Sequence, residues 1–294
     1  MRIRCSSTSI AAVLALAAFI ALPARAAVFA DVEVQATQDD NVGRSEKSTD
    51  IEHDRSAGLS GRVGQAIELA AGTRLALSAS VRAVEFRRFR DLSEVAAGTG
   101  ISLRHKFGLG PDAPWVALVA DGEFIDSDSF IRDGERYGGG IRAGKRFGER
   151  WSLSATLRHD WRDADEDDQR LASKPGDVFE SDATEFAVAA DVQLDNGVML
   201  LASWSVRDGD VVSTARPNAT IFGASKAITP DAAFGPGLYA YRLDALTQTA
   251  ILGFNYPLAY MVSVQLDYEY QESDADAGIR YDKNLVRLRL LWAY

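Results

Sequence analysis

The chain has 294 residues, 47% hydrophobic and 25% charged, with 24 glycines, 8 prolines and a single cysteine. This composition excludes a collagen-like, disordered or disulfide-stapled polypeptide, and beyond the N-terminus no apolar run approaches the roughly 18 residues of a spanning helix. The formal charge of −10 sets it against nucleic-acid phosphates, so no nucleic-acid partner is expected; a transmembrane β-barrel stays open, because alternating strands average out in such totals.

Residues 1–26 read as an export leader. Arg2 and Arg4 form its positive start, Ile10 to Leu22 its apolar stretch, and Ala24-Arg25-Ala26 a small-x-small cleavage site, with the mature chain beginning at Ala27. Cys5 precedes the apolar stretch and gives no lipid anchor at the cleavage point. From Ala27 onward there is no cysteine for thiol catalysis, thiolate metal sites or redox chemistry.

The rest of the chain has a period of two. Val28, Ala30, Val32 and Val34 alternate with Phe29, Asp31, Glu33 and Gln35; Leu75 to Ala83, Trp151 to Leu157, Phe186 to Leu194 and Tyr260 to Tyr270 repeat the pattern. Twelve strands are predicted, at 27–37, 55–69, 74–86, 93–107, 115–126, 136–147, 151–162, 183–194, 198–207, 239–254, 259–271 and 283–294. Short connections at 71–73, 108–114, 148–150, 195–197 and 255–257 alternate with long ones at 38–54, 87–92, 127–135, 163–182, 208–238 and 272–282. This predicts an all-β fold, a transmembrane antiparallel β-barrel over residues 27–294. Most of its strands reach the about 9 to 11 tilted residues that cross a bilayer.

A soluble sandwich also alternates, but it has little reason to place aromatics at strand ends. Here Phe107, Trp115, Phe124, Phe147, Trp151, Trp161, Tyr256, Tyr260, Tyr268, Tyr270 and Trp292 stand there, as interfacial girdles would. In the final segment every second residue is apolar: Val286, Leu288, Leu290, Trp292 and Tyr294.

That segment resembles the terminal strand recognised by the barrel assembly machinery, and the mature chain as a whole resembles bacterial outer-membrane β-barrels. The resemblance implies a Gram-negative outer-membrane location, lipid and lipopolysaccharide as surroundings, and the assembly machinery as a partner during insertion. Asp39-Asp40-Asn41-Val42 after the first strand and Tyr281-Asp282-Lys283-Asn284 before the last are similar to the barrel domain of surface lipoprotein assembly modifiers. That narrower likeness implies a role in export or surface display.

If the apolar register faces lipid, the other lines the lumen, and it is charged. Its basic residues include Arg62, Arg82, Arg104, Arg142, Arg158, Arg207, Arg287 and Arg289; its acids include Glu33, Asp121, Glu123, Asp160, Glu185, Asp191, Asp267 and Glu269. Either a basic wall faces an acidic one across a narrow aqueous channel for small polar or charged solutes, or the charges satisfy one another and fill a closed structural barrel. Arg287, Arg289 and Arg207, facing Asp267, Glu269 and Glu33, are the candidate selectivity residues of the first reading.

Segment 208–238 carries Pro217, Ile221, Phe222, Ile228, Pro230, Phe234 and Pro236, an apolar content that predicts folding inward to constrict the lumen, or else lying on the rim or binding a partner. The acidic run Asp163, Asp165, Glu166, Asp167 and Asp168 lacks the glycine and terminal glutamate of a calcium loop, and neither metal nor cofactor is expected. A lipid hydrolase would place serine two residues after histidine on one strand; His159 is followed there by Trp161 and His105 by Phe107. No catalytic set assembles, so the chain is not read as an enzyme. The Gly138-Gly139-Gly140 run sits in a strand, where glycine marks a bend or a close approach.

Overall fold

The computed structural model describes residues 26–164 and 177–294. The proposed leader, apart from Ala26, and Asp165, Glu166, Asp167 and Asp168 of the acidic run lie outside the described residues. The elements in chain order are β1 (Ala26–Asp39), β2 (Asp54–Ala70), β3 (Thr73–Phe86), β4 (Glu94–Lys106), β5 (Trp115–Ser127), β6 (Gly134–Phe147), β7 (Trp151–Ala164), β8 (Ser181–Gln193), β9 (Met199–Ala215), α1 (Ala219–Ala224), β10 (Ala227–Pro230), β11 (Tyr239–Ala259), β12 (Val262–Ala275) and β13 (Ile279–Ala293).

Twelve of these strands pair with their neighbours in antiparallel order, and β1 pairs with β13 from Asp31↔Ala293 to Asp39↔Leu285, which closes the sheet into a cylinder. Closure leaves no open edge, as a hydrocarbon setting demands of any strand-built wall. Among the described residues no helix is long and apolar enough to cross a membrane. The thirteenth strand, β10, pairs only with the start of β11.

The outer face is the apolar register. Val34, Leu59, Val81, Leu118, Leu157 and Leu288 all point away from the interior and are exposed. Exposed aromatics form two levels: Phe147, Trp151, Tyr256, Tyr260 and Trp292 toward the short turns, and Phe124, Tyr137, Trp161, Tyr268 and Tyr270 toward the long loops. Trp115 corrects the sequence expectation. It stands in register with Gly144 on the inward row, where its ring lies under the Arg104 guanidinium at 4.3 Å.

Two further corrections concern β9 and β11. The expected turn at 255–257 is strand; the chain reverses at Met261, whose φ of 69° takes the left-handed conformation of a tight turn. Pro257 is tolerated because beyond Asn255 β11 has left β9 behind, so it occupies an edge position. β9 runs to Ala215 rather than 207, so the β9–β11 hairpin rises well past its neighbours and much of segment 208–238 is strand.

The top of that hairpin, widened by β10, forms a flap in the long-loop mouth of the barrel. One face carries Val211, Tyr241 and Leu243 and packs with Ile221 of α1 against Ala275, Ile279 and Tyr281 of β12 and β13. The other face places Ala227, Ala240 and Val212 against Ile131, Ala164, Val178 and Phe179. Ile221 and Ile228 are buried inside the mouth and Phe234 is half-buried, while Phe222 and the prolines stay exposed.

Candidate functional site

The side chains able to meet a solute are those of the inward register, and strand pairing fixes them row by row, because directly paired residues project to the same face. Glu33, Arg62, Arg82, Arg104, Asp121, Glu123, Arg142, Arg158, Glu185, Asp191, Arg207, Asp267, Glu269, Arg287 and Arg289 all lie opposite the exposed apolar row of their own strands. Val286, Leu288, Leu290 and Trp292 lie on the outward row of β13, and Tyr294 ties the strand end to β1 by exchanging backbone hydrogen bonds with Ala30 of 2.8 and 3.1 Å.

The inward charges do not separate into a basic and an acidic wall. They pair with neighbours on the same strand or one or two strands away. Arg287 bonds Glu269 and lies 3.4 Å from Asp267; Arg289 bonds Asp267 and approaches Glu33 at 4.0 Å across the β13–β1 seam. Arg82 joins Glu94 and, at 3.1 Å, Glu123, which also takes Arg136 at 2.8 Å. Arg158 reaches Asp121 and Asp160, each at 2.7 Å. Arg62 holds Asp31 at 2.9 Å. Opposite charges on adjacent strands attract strongly in a weakly screened interior, so sorting by neighbour outcompetes sorting by wall.

The glycine run contributes directly to one of these pairs. Gly138 faces inward, and a Cβ there would collide with the Arg158 guanidinium, so the absent side chain is the space that lets Arg158 reach Asp121 and Asp160. Arg136, Glu94 and Asp31 were legible by counting in twos from Arg142, Arg104 and Glu33, since each lies on its strand's inward row.

Five of the expected lining residues have other surroundings, Arg104 among them with its guanidinium over the Trp115 ring. Arg207 donates to the Asp210 carbonyl at 2.8 Å, and Glu185 stands in register between Arg158 and Arg207. Asp191 lies across from Ser152, and Arg142 across from Ala117 and Thr156. Two of the three histidines sit on the outward register: His105 bonds Thr73 at 2.8 Å, and His159 bonds Thr184 at 2.8 Å with its ring edge-on to Trp161.

At the long-loop end the flap is fastened by buried polar contacts. Asp231, fully buried, accepts two hydrogen bonds from Arg132 at 2.8 and 3.0 Å and one from the Thr214 hydroxyl at 2.8 Å. Phe234 packs against Phe89 with ring centroids 4.8 Å apart and tilted by 35°, tying the flap to the β3–β4 connection, while Gly43 and Ser45 of the first loop bond Thr214. Lys226 lies 2.8 Å from both Asp210 and Asp244; burial alone would lower its ammonium, but the two carboxylates prevail and hold it above the ordinary lysine value. Burial likewise pushes the Asp177 carboxyl up, against the pull of the Phe179 and Glu180 amides bonded to it. None of these anchors carries a sequence signal, because each joins loops far apart in the chain.

No protein-family model matches the chain, and no curated protein matches it in sequence. Among solved structures it is similar to an outer membrane channel from Pseudomonas putida F1, with a TM-score of 0.58 at 11% identity over 94% of this chain and 98% of that one. The NanC porin superposes with a TM-score of 0.48 at 10% identity, over 89% of this chain and 98% of that one. The chain therefore has the fold of a bacterial outer-membrane β-barrel.

Proposed function

We propose that this chain is an outer-membrane channel through which small polar or charged solutes pass passively, its long loops turned outward and its short turns toward the periplasm. The observation that carries this reading is water-accessible charge inside an apolar-coated cylinder: toward the short turns the side chains of Arg62 and Asp31, although on the inward register, are 55% and 39% exposed. A fully packed structural barrel of small size would bury them. On this reading residues 1–26 are a leader removed near Ala26, the row Val286, Leu288, Leu290, Trp292 and Tyr294 serves barrel assembly, and the outward band meets outer-membrane lipid and lipopolysaccharide. The paired charges, Arg287 and Arg289 among them, brace the wall of the pore, and the flap sets its narrowest point.

The flap also favours a second reading, a non-conducting barrel that acts through its loops or assists surface display, since both its faces are buried in the mouth. Planar-bilayer recording separates the two. The channel reading expects small unitary steps from the native barrel and several-fold larger ones when residues 217–237 are replaced by a short glycine-serine turn. Silence from both proteins discards the channel.

A further inference from the structure

Six inward arginines, Arg62, Arg82, Arg136, Arg158, Arg287 and Arg289, each hold a carboxylate. Arg146, Arg162 and Arg207 bond backbone carbonyls instead, and three more have neither kind of partner. Among the described residues Arg74, Arg104 and Arg142 form no ion pair, and they are consecutive cations of one cross-strand row: Arg74 pairs with Arg104, Arg104 with Ala117, and Ala117 with Arg142. Glu68, directly across from Arg74 on β2, forms no ion pair with it.

All three arginines are exposed while projecting to the interior, which places them on water inside the barrel. The wall around them is low: Ala76, Ser102, Ala117, Gly140 and Gly144 occupy the flanking inward positions. Trp115 supports the Arg104 guanidinium from below at 4.3 Å, which leaves its donor edges free to bind. Six strands away around the cylinder, β11 presents Gly253 and Asn255, so no carboxylate from that strand's row competes for the cluster.

Like charges placed directly opposite on adjacent strands repel, and apart from Glu68 across from Arg74 no carboxylate among the described residues stands in register with the row, so Arg104 and Arg142 have no protein anion beside them. The guanidinium fork matches carboxylate and phosphate oxygens in bidentate geometry. With β4 and β6 two strand spacings apart, about 10 Å, Arg104 and Arg142 can close on one small anion from two sides. We infer that Arg74, Arg104 and Arg142 form an anion-binding row that makes the barrel select small organic polyanions, recognised through their carboxylate or phosphate oxygens. This rests on the channel reading for its physiological use, but the binding itself does not require conduction.

The test uses the full-length barrel refolded in detergent, with citrate and inorganic phosphate as separate titrants followed by calorimetry. Saturable binding of either anion, weakened about tenfold or more in the triple variant Arg74→Gln, Arg104→Gln, Arg142→Gln, supports the row. Binding of neither anion, or equal binding by native protein and variant, overturns it. Heat-modifiable mobility on gels establishes that the variant is folded, and the matching triple lysine variant keeps the charge while removing the fork. In a bilayer under a KCl gradient the native barrel is expected to prefer chloride and the glutamine variant to lose that preference; a preference that survives also overturns the proposal. If no current flows at all, the channel reading fails and the titrations alone judge the row.

Discussion

Along β13, Ile279 and Tyr281 project inward and are 1% and 3% exposed, while Arg280 and Asp282, alternating with them, project outward into solvent. A few residues on, the same strand reverses this chemistry: Val286, Leu288 and Leu290 face out and are exposed, and Arg287 and Arg289 face in. The backbone alternation never breaks; what changes is the medium on each side. Past the upper aromatics the strand has left the apolar band, so its outside meets water and its inside meets the flap. On the channel reading, toward the short turns the outside meets hydrocarbon and the inside meets water and paired charge. One closed sheet therefore has two interiors, a packed one under the long loops and a hydrated one behind the short turns.

The sharpest way to break this division is to unfasten the packed half. Arg132→Leu leaves the fully buried Asp231 carboxylate with only the Thr214 hydroxyl, a loss of about 3–5 kcal/mol by the usual measure for removing one partner of a buried pair. The expected outcome is hydrogen-exchange protection lost across 227–231 and 211–215 while the lower barrel stays protected. Loss spread evenly over the whole cylinder would show that the two halves are one cooperative unit.

A smaller effect is expected from Asp267→Asn in the charged half. Asp267 is 1% exposed and serves both Arg287 and Arg289, so neutralising it leaves two guanidinium groups short of an acceptor charge, about 1.5–3 kcal/mol. The detergent-refolded barrel should melt at lower temperature with flap protection unchanged. An unaltered melting temperature would mean that these pairs brace nothing.

The smallest effect is a pH dependence of the flap. Lys226 is raised by its two carboxylates, so its contribution is complete below the unfolded lysine value, about 10.4, and is lost as pH rises through the higher folded value. Exchange protection near Ala227 should therefore hold through neutral and mildly basic pH and fall only beyond that range, and a Lys226→Met variant should show no such step.

The twelve strands were legible because lipid outside and water inside impose strict alternation over long runs, and the expected limits differ from the observed ones mainly at β9, β11, β12 and β13. β9, β12 and β13 differ where they rise beyond the apolar band, whereas β11 differs at its short-turn end, where Pro257 hides the last strand residues. At 279–285 the apolar phase shifts by one residue, which ends the pattern to a reader counting lipid-facing positions although the hydrogen-bonded strand continues. The inward register of the site was legible for the same reason, as was the placement of Arg289 between Asp267 and Glu33 across the seam. Trp115 was misplaced because an aromatic at a strand end suits a girdle or a lumen equally, and parity with Ala117 and Val119 decides it.

The sequence by itself determined the cylinder: a period of two sustained through twelve segments leaves a closed antiparallel barrel as the arrangement that buries every backbone polar group in a membrane. Only the tertiary structure decided which inward charges neutralise one another and which stay free. Pairing depends on the stagger between strands, so Arg287 finds Glu269 while Arg104 meets another arginine. It also decided that segment 216–238 enters the mouth, because the contacts that hold it there, Asp231 to Arg132 and Phe234 to Phe89, join residues about a hundred positions or more apart whose proximity no local pattern encodes.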